Sequence, residues 1–270
     1  MDYKHIKYRP GKVARVVLNR PRYRNAQSRL MLEELDDAFA CASDDDQVNV
    51  IVLSGEGEHF SAGHDLGTPE EVQDKETRGF PEDGTGLYKH FRELFVNKTL
   101  RWRNLPKPTI AMVQGYCIFG GWMVASSMDI IFASEDACFL PSHTQYFPVP
   151  WDLGARKAKE VLFEHRFITA EEALANHFVN KVFPREKLEE ETLAYAGRVA
   201  ENNPFHLRMV KFSVNHMLDT MGFSSEIEGG FHTYFVNGYP RWSEFKGLNY
   251  PGRNLANADA ALKNLKASQA

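Results

Sequence analysis

The chain is poor in cysteine, with Cys41, Cys117 and Cys138 the only three in 270 residues. None belongs to a CxxC pair, and each sits in an apolar or helical context. This argues against a disulfide framework or a cysteine zinc site and for reduced thiols in a cytoplasmic protein. Excess basic charge is missing as well. Lysine and arginine total 32 against 36 acidic residues, a formal net charge of −4. A nucleic-acid partner would call for a basic surface. Apolar runs are no longer than a strand, so no membrane-spanning helix is expected. Met1-Asp2-Tyr3-Lys4-His5 offers no apolar stretch for a signal peptide. His59 and His64 lack a third ligand at metal-site spacing, and no Walker-type lysine follows Gly55-Glu56-Gly57. No metal and no separate cofactor is therefore expected.

What is present suits an enzyme-sized α/β domain. With 43% hydrophobic residues, the chain can bury one large core, with or without an appendage. Tyr3–Tyr8, a turn at Arg9-Pro10-Gly11 and Val13–Leu18 read as an opening hairpin. Apolar spacing over Asn25–Ala42 predicts an amphipathic helix, and Val48–Leu53 a buried strand. Residues 67–86, rich in Gly, Pro and acids, read as a mobile loop over a site. Leu87–Asn104 reads as one helix, followed by a strand at Thr109–Val113, a helix from Gly120 and a strand near Asp129–Ala133. This βαβ rhythm favours crossover units with mostly parallel strands. Beyond Phe183 the pattern turns helical, over Arg185–Asn202, Pro204–Leu218 and Ser224–Val236. The aromatics Phe231, Tyr234, Phe235, Tyr239, Trp242, Phe245 and Tyr250 then suit either a contact surface or closure of the subunit's own core.

Two turns carry the chemistry. Phe60-Ser61-Ala62-Gly63-His64-Asp65-Leu66 follows the strand Val50–Leu53, and Gly115-Tyr116-Cys117-Ile118-Phe119-Gly120-Gly121 follows Thr109–Val113. Small residues let the backbone approach a ligand, and each turn can aim a peptide N–H into one cavity. Two convergent N–H groups make an oxyanion hole for a carbonyl that becomes an enolate or a tetrahedral oxyanion. In this order the turns resemble the crotonase (enoyl-CoA hydratase/isomerase) superfamily, from about Val13 to beyond Phe183.

The resemblance implies a spiral of ββα units over 1–183 and a C-terminal helical region over 184–270 that makes a homotrimer or a dimer of trimers. It puts the oxyanion donors on His64 and Gly120, with Gly121 allowing the tight turn. Asn19-Arg20-Pro21 with Asn25-Ala26 matches the family's first signature, whose loop holds part of coenzyme A. Arg22 and Arg24 are then phosphate contacts or plain surface charge. Ala62 would lie by the adenine, with Asp65 and Leu66 beside it in the same binding turn. The two glutamates that family hydratases use to activate water fall here on Met123 and His143, and methionine moves no proton. His143 is the first substitute, since imidazole titrates near neutrality; its alternative is a packing role. Asp152, beside Trp151, lies where aryl-CoA dehalogenases of the superfamily carry a nucleophile; its alternative is a helix N-cap. His90 could reach the acyl pocket from its helix, or be a surface residue. Trp122 next to Met123 would make the acyl cavity more apolar.

These readings imply an enzyme acting on a CoA thioester through an oxyanion-stabilised enolate, with hydratase- or isomerase-like chemistry and atypical acid/base residues. The alternatives are a CoA-thioester hydrolase or dehalogenase, and a non-catalytic acyl-CoA binder. Coenzyme A enters only as part of the substrate.

Overall fold

The computed structural model describes residues 2–242 and 253–268. Its strands are β1 (Ile6–Arg9), β2 (Val13–Leu18), β3 (Val50–Gly55), β4 (Thr109–Val113), β5 (Tyr116–Ile118), β6 (Ile130–Ser134), β7 (Cys138–Leu140), β8 (Ile168–Thr169) and β9 (Lys181–Phe183). The larger sheet runs β1-β2-β3-β4-β6-β9 and the smaller β5-β7-β8. β1 is antiparallel to β2, β8 is antiparallel to β7, and the remaining neighbours are parallel. β4–β5 and β6–β7 each place one strand in either sheet. Ser61 does the same after β3 by a parallel bridge to Cys117. Successive turns of chain therefore stack as ββα units, as the resemblance implied.

Helices cover both faces of the larger sheet, so its central strands β3 and β4 are buried along their whole length. On one face, Val16, Ile51, Leu53, Ala111 and Ile131 pack with Leu32, Leu35 and Phe39 of α1 (Arg29–Asp44). On the other, Val50, Val52, Ile110, Met112 and Phe132 meet Leu188, Ala196 and Ala200, where α9 (Leu188–Ala200) lies. Each large side chain so enclosed contributes about 1.5–3 kcal/mol.

Three local expectations are corrected. α1 begins at Arg29, because the Ser28 hydroxyl accepts from Met31 N and caps it there. Asn25 is instead held at φ 53°, with its carboxamide spent on the backbone of Arg20, Glu56 and His59. Much of the supposed loop at 67–86 is helix α2 (Pro69–Arg78). Its proline and acids are start signals: Thr68 caps Glu71 N, Pro69 opens the helix, and Glu70 and Glu71 fill its first turn. The long helix expected at 87–104 is broken. α3 (Gly84–Phe91) runs into a π-helical turn at Arg92–Asn97 and then α4 (Lys98–Arg103). The wider turn carries buried Leu94, Phe95 and Val96.

The remaining helices are α5 (Gly120–Ser126), α6 (Val149–Leu153), α7 (Ala155–Glu164), α8 (Ala170–Ala175), α10 (Pro204–Thr220), α11 (Phe223–Trp242) and α12 (Arg253–Ser268). Phe231 is fully buried, and its ring lies 5.1 Å from Tyr88 and 6.0 Å from Phe235, so both phenylalanines close the subunit's own core. Phe245 and Tyr250 lie outside the described residues, as do the side chains of Tyr239 and Trp242. Among the described residues, no helix is long and apolar enough to cross a membrane.

Candidate active site

The two glycine turns meet edge to edge. Gly63 has φ 88°, and a Cβ there would stand 2.7 Å from the Ile118 carbonyl and 3.1 Å from Gly120 N. Only glycine permits that approach. Gly121 is equally tight, since a Cβ would lie 2.7 Å from Ser61 O. Between these glycines and β5, Phe119 adopts φ 49° and ψ −102° at the N-cap of α5. A non-glycine residue there is strained by about 1–3 kcal/mol. Its side chain packs with Ile118, Leu140 and Phe167, which over-determines the turn. The N–H groups of His64 and Gly120 make no hydrogen bond within the described residues.

The first turn is anchored from below. Arg20 and Asp65 form an ion pair at 2.7 Å, with side chains 4% and 1% exposed. The same guanidinium donates to Ala26 O and Thr68 Oγ1, while Asp65 also accepts from Gly67 N, Thr68 N and Thr68 Oγ1. Asp65 was expected among the ligand contacts. Its carboxylate is instead fully engaged in holding the turn. Gln27 N then donates to Gly63 O, and Asp65 N to Gln27 O.

His64 supplies more than a backbone N–H. Its ring stacks at 4.1 Å on Phe95 of the π-helical turn, and Nε2 lies 3.1 Å from Gln145 Oε1. Gln145 Nε2 donates to the Tyr234 hydroxyl, so its oxygen faces the imidazole and His64 Nε2 is the donor. Burial draws the His64 pKa down to about 4, against which the bond to Gln145 works only weakly, so the ring stays neutral. His143 lies at the other end of this chain of contacts, 6.0 Å ring to ring from Tyr234 and 4.8 Å from Phe147. Its Nε2 is 3.2 Å from the Gly230 carbonyl and must donate to it, which leaves Nδ1 the unprotonated nitrogen. Burial lowers the His143 pKa too, the bond to Gly230 opposing.

The other expected residues are scattered. Met123 is enclosed in the main core. Trp122 does not line an acyl cavity as expected; it stacks at 4.0 Å on Phe178 in the interior. Its indole N–H donates to Asp152 Oδ2 at 2.6 Å, and Ser126 Oγ donates to Oδ1 at 2.8 Å. Asp152 is therefore a half-buried acceptor inside α6, and no helix N-cap. Burial pushes its pKa up to about 7 despite both donors. Trp151 donates to Glu226 and packs on Phe223. His90 is half-buried against Phe80 at 5.2 Å, with its pKa lowered to about 4 by burial and then by Arg29 and Lys75. Arg22 and Arg24 are exposed beside the first signature, and Ala62 N donates to Arg24 O. His59 is structural: Tyr116 N donates to its Nδ1, and the rings stack. Sequence reasoning missed Gln27, Gln145 and Phe95, because a lone glutamine or phenylalanine carries no motif.

The chain is thus a stacked ββα spiral whose two adjoining glycine turns each leave one backbone N–H unpaired among the described residues. Residues 9–237 match the enoyl-CoA hydratase/isomerase family, and the chain belongs to it. It is 36% identical over 271 residues to the Mycobacterium tuberculosis protein named as an enoyl-CoA hydratase, EchA13, covering 91% of this chain and 84% of the relative. A crystal structure of a probable enoyl-CoA hydratase from Mycobacterium thermoresistibile superposes with a TM-score of 0.81 at 40% identity, over 89% of this chain and 98% of the other. An enoyl-CoA hydratase/isomerase from Xanthobacter autotrophicus gives 0.79 at 29% identity, over 98% and 96%.

Two outcomes follow from these contacts. Asp65→Ala strands the Arg20 guanidinium in the interior, and denaturant unfolding should show a loss of about 3–5 kcal/mol. Asp152 is protonated more readily in the fold than in the unfolded chain, so its contribution is full below pH 4 and disappears as pH rises through about 7. Asp152→Asn should therefore gain on the native protein by about 1–3 kcal/mol between pH 4 and 8. Parallel stability curves over that range would refute the assignment.

Proposed function

We propose that the chain is an enzyme acting on a CoA thioester, whose carbonyl oxygen binds between the N–H groups of His64 and Gly120 and gains negative charge as an enolate forms. The observation that carries this reading is the pair of unbonded N–H groups on two adjoining, glycine-dependent turns. The relatives named as enoyl-CoA hydratases support acyl-CoA as the ligand class. Arg22 and Arg24 reach toward the phosphates and Ala62 toward the adenine, and no separate cofactor takes part. The protein works in the cytoplasm.

Water activation by paired carboxylates is absent, because Met123 replaces one proton carrier and His143 the other. His143 serves as acid and base: its Nε2–H is fixed by Gly230, so Nδ1 presents a lone pair. The dehalogenase-like route through Asp152 is less favoured, since both its oxygens already accept hydrogen bonds from α5. Subunits associate as a trimer or dimer of trimers through the helical region at 184–270. Phe205, Val210, Phe212, Val214 and Met217 of α10 and Met221 just after it are all exposed. Exposed apolar side chains on two sides of one helix, Phe205 and Phe212 on one and Val210, Val214, Met217 and Met221 on the other, mark it as a contact surface.

Titration calorimetry should show acyl-CoA binding that Gly120→Val abolishes, since a side chain there meets Gln27 and His64. Crotonyl-CoA hydration should be very slow. On the acyl-CoA that is turned over, His143→Ala should cost about 10²–10⁴-fold in rate. Robust crotonyl-CoA hydration, undiminished in His143→Ala, would overturn the acid/base assignment. Light scattering at micromolar concentration should give a trimer or hexamer; a monomer would refute the assembly.

A further inference from the structure

Two buried acceptors beside the oxyanion turn have no partner. Gln27 Oε1 and His64 Nδ1 are both enclosed, and neither bonds the other or any other group among the described residues. Gln27 is only 3% exposed. Both atoms face the Gly120 Cα from the same side: a Cβ built there would lie 2.6 Å from Gln27 Oε1 and 2.7 Å from His64 Nδ1. Their orientations are set by their neighbours. The Ser61 hydroxyl gives its single hydrogen to Asn25 O, so the Gln27 group facing Ser61 must be the donor Nε2. The oxygen of that amide therefore faces His64. Gln145 fixes the imidazole proton on Nε2, which leaves Nδ1 a bare lone pair. Leaving one such group unsatisfied costs about 1–3 kcal/mol, and here two stand side by side.

We propose that Gln27 Oε1 and His64 Nδ1 form a paired-acceptor site for one water molecule next to the oxyanion hole. Water has two hydrogens for two acceptors, and a buried water needs only two to four polar partners. Donating both hydrogens leaves the oxygen's lone pairs free to face a bound acyl group. Gln27 and His64 thus fill the water-positioning role that Met123 cannot. That role rests on the acyl-CoA reading above, whereas the presence of the water does not. Burial, which keeps His64 neutral, preserves Nδ1 as an acceptor.

The test has a structural and a kinetic arm, both on the whole protein. A high-resolution crystal structure should show a single water within hydrogen-bond distance of both atoms, and nitrogen-15 NMR should report His64 Nδ1 as unprotonated. Gln27→Glu keeps the acceptor and places negative charge beside Nδ1, so the His64 titration midpoint should rise. With 2-enoyl-CoA thioesters bulkier than crotonyl-CoA, Gln27→Leu should lower kcat by about 10²-fold while KM holds, and Gln27→Glu should retain most of the turnover. A proton on Nδ1, no shared water, or an unchanged kcat in Gln27→Leu would overturn the proposal. A shared water in a protein that binds no acyl-CoA by calorimetry would leave the site standing and remove the functional reading instead.

Discussion

The buried ion pair between Arg20 and Asp65 is the constraint on which the rest of the site depends. It joins three stretches that are distant in sequence: the loop after β2, the turn after β3, and the start of α2. Arg20 reaches Ala26 O and Thr68 Oγ1 as well as the carboxylate, and Asp65 gathers the N–H groups of Gly67 and Thr68. A buried pair of this kind gains little net stability over apolar residues of the same volume. What it supplies here is position. With Asp65 pinned, Gln27 and His64 fall into a parallel bridge, and Gly63 is pressed against Gly120. The N–H groups of His64 and Gly120 inherit their separation from this salt bridge.

The second turn reaches the same precision by strain. Phe119 holds a left-handed backbone that glycine would adopt freely, and it persists because its ring is packed against the small sheet. One turn is therefore fixed by charge and hydrogen bonds and the other by sterics. A shift in either would separate the two N–H groups.

The glycine turns and the strand–helix rhythm were legible in sequence because each depends on local residue type: small residues for close approach, unbroken apolar runs for strands buried on both faces. Start signals were also present at Thr68-Pro69-Glu70-Glu71, but the same proline and acids read as a loop when the cap was overlooked. Asp152 shows a different limit. Its position before a helix suited a cap, and only the fold reveals that Trp122 and Ser126, one turn apart on α5, both point at it. The π-helical turn at Arg92–Asn97 has no sequence signature at all, yet it carries the Phe95 ring that covers His64. Gln27 and Gln145 were invisible for a related reason: an amide gains meaning only from which of its two ends faces which neighbour.

If Met123 and His143 stand where a carboxylate pair would, as proposed above, the electrostatic logic of the site differs. A carboxylate pair would hold negative charge near a developing enolate and would have to be neutralised by proton transfer. His64 and His143, both with pKa lowered by burial, stand at the two ends of a row of contacts: His64 bonds Gln145, Gln145 donates to the Tyr234 hydroxyl, and the Tyr234 ring faces that of His143 at 6.0 Å. On the oxyanion reading proposed above, such a neutral network would impose no repulsion on a forming oxyanion. It also ties the site to the helical region. Gly230 and Tyr234 both belong to α11, so the ring orientation of His143 and the amide orientation of Gln145 are set by a helix beyond the spiral. Whatever fixes α11 in place, packing onto Tyr88 in its own subunit or contact through neighbouring α10, thereby also fixes which nitrogen of each histidine carries its proton.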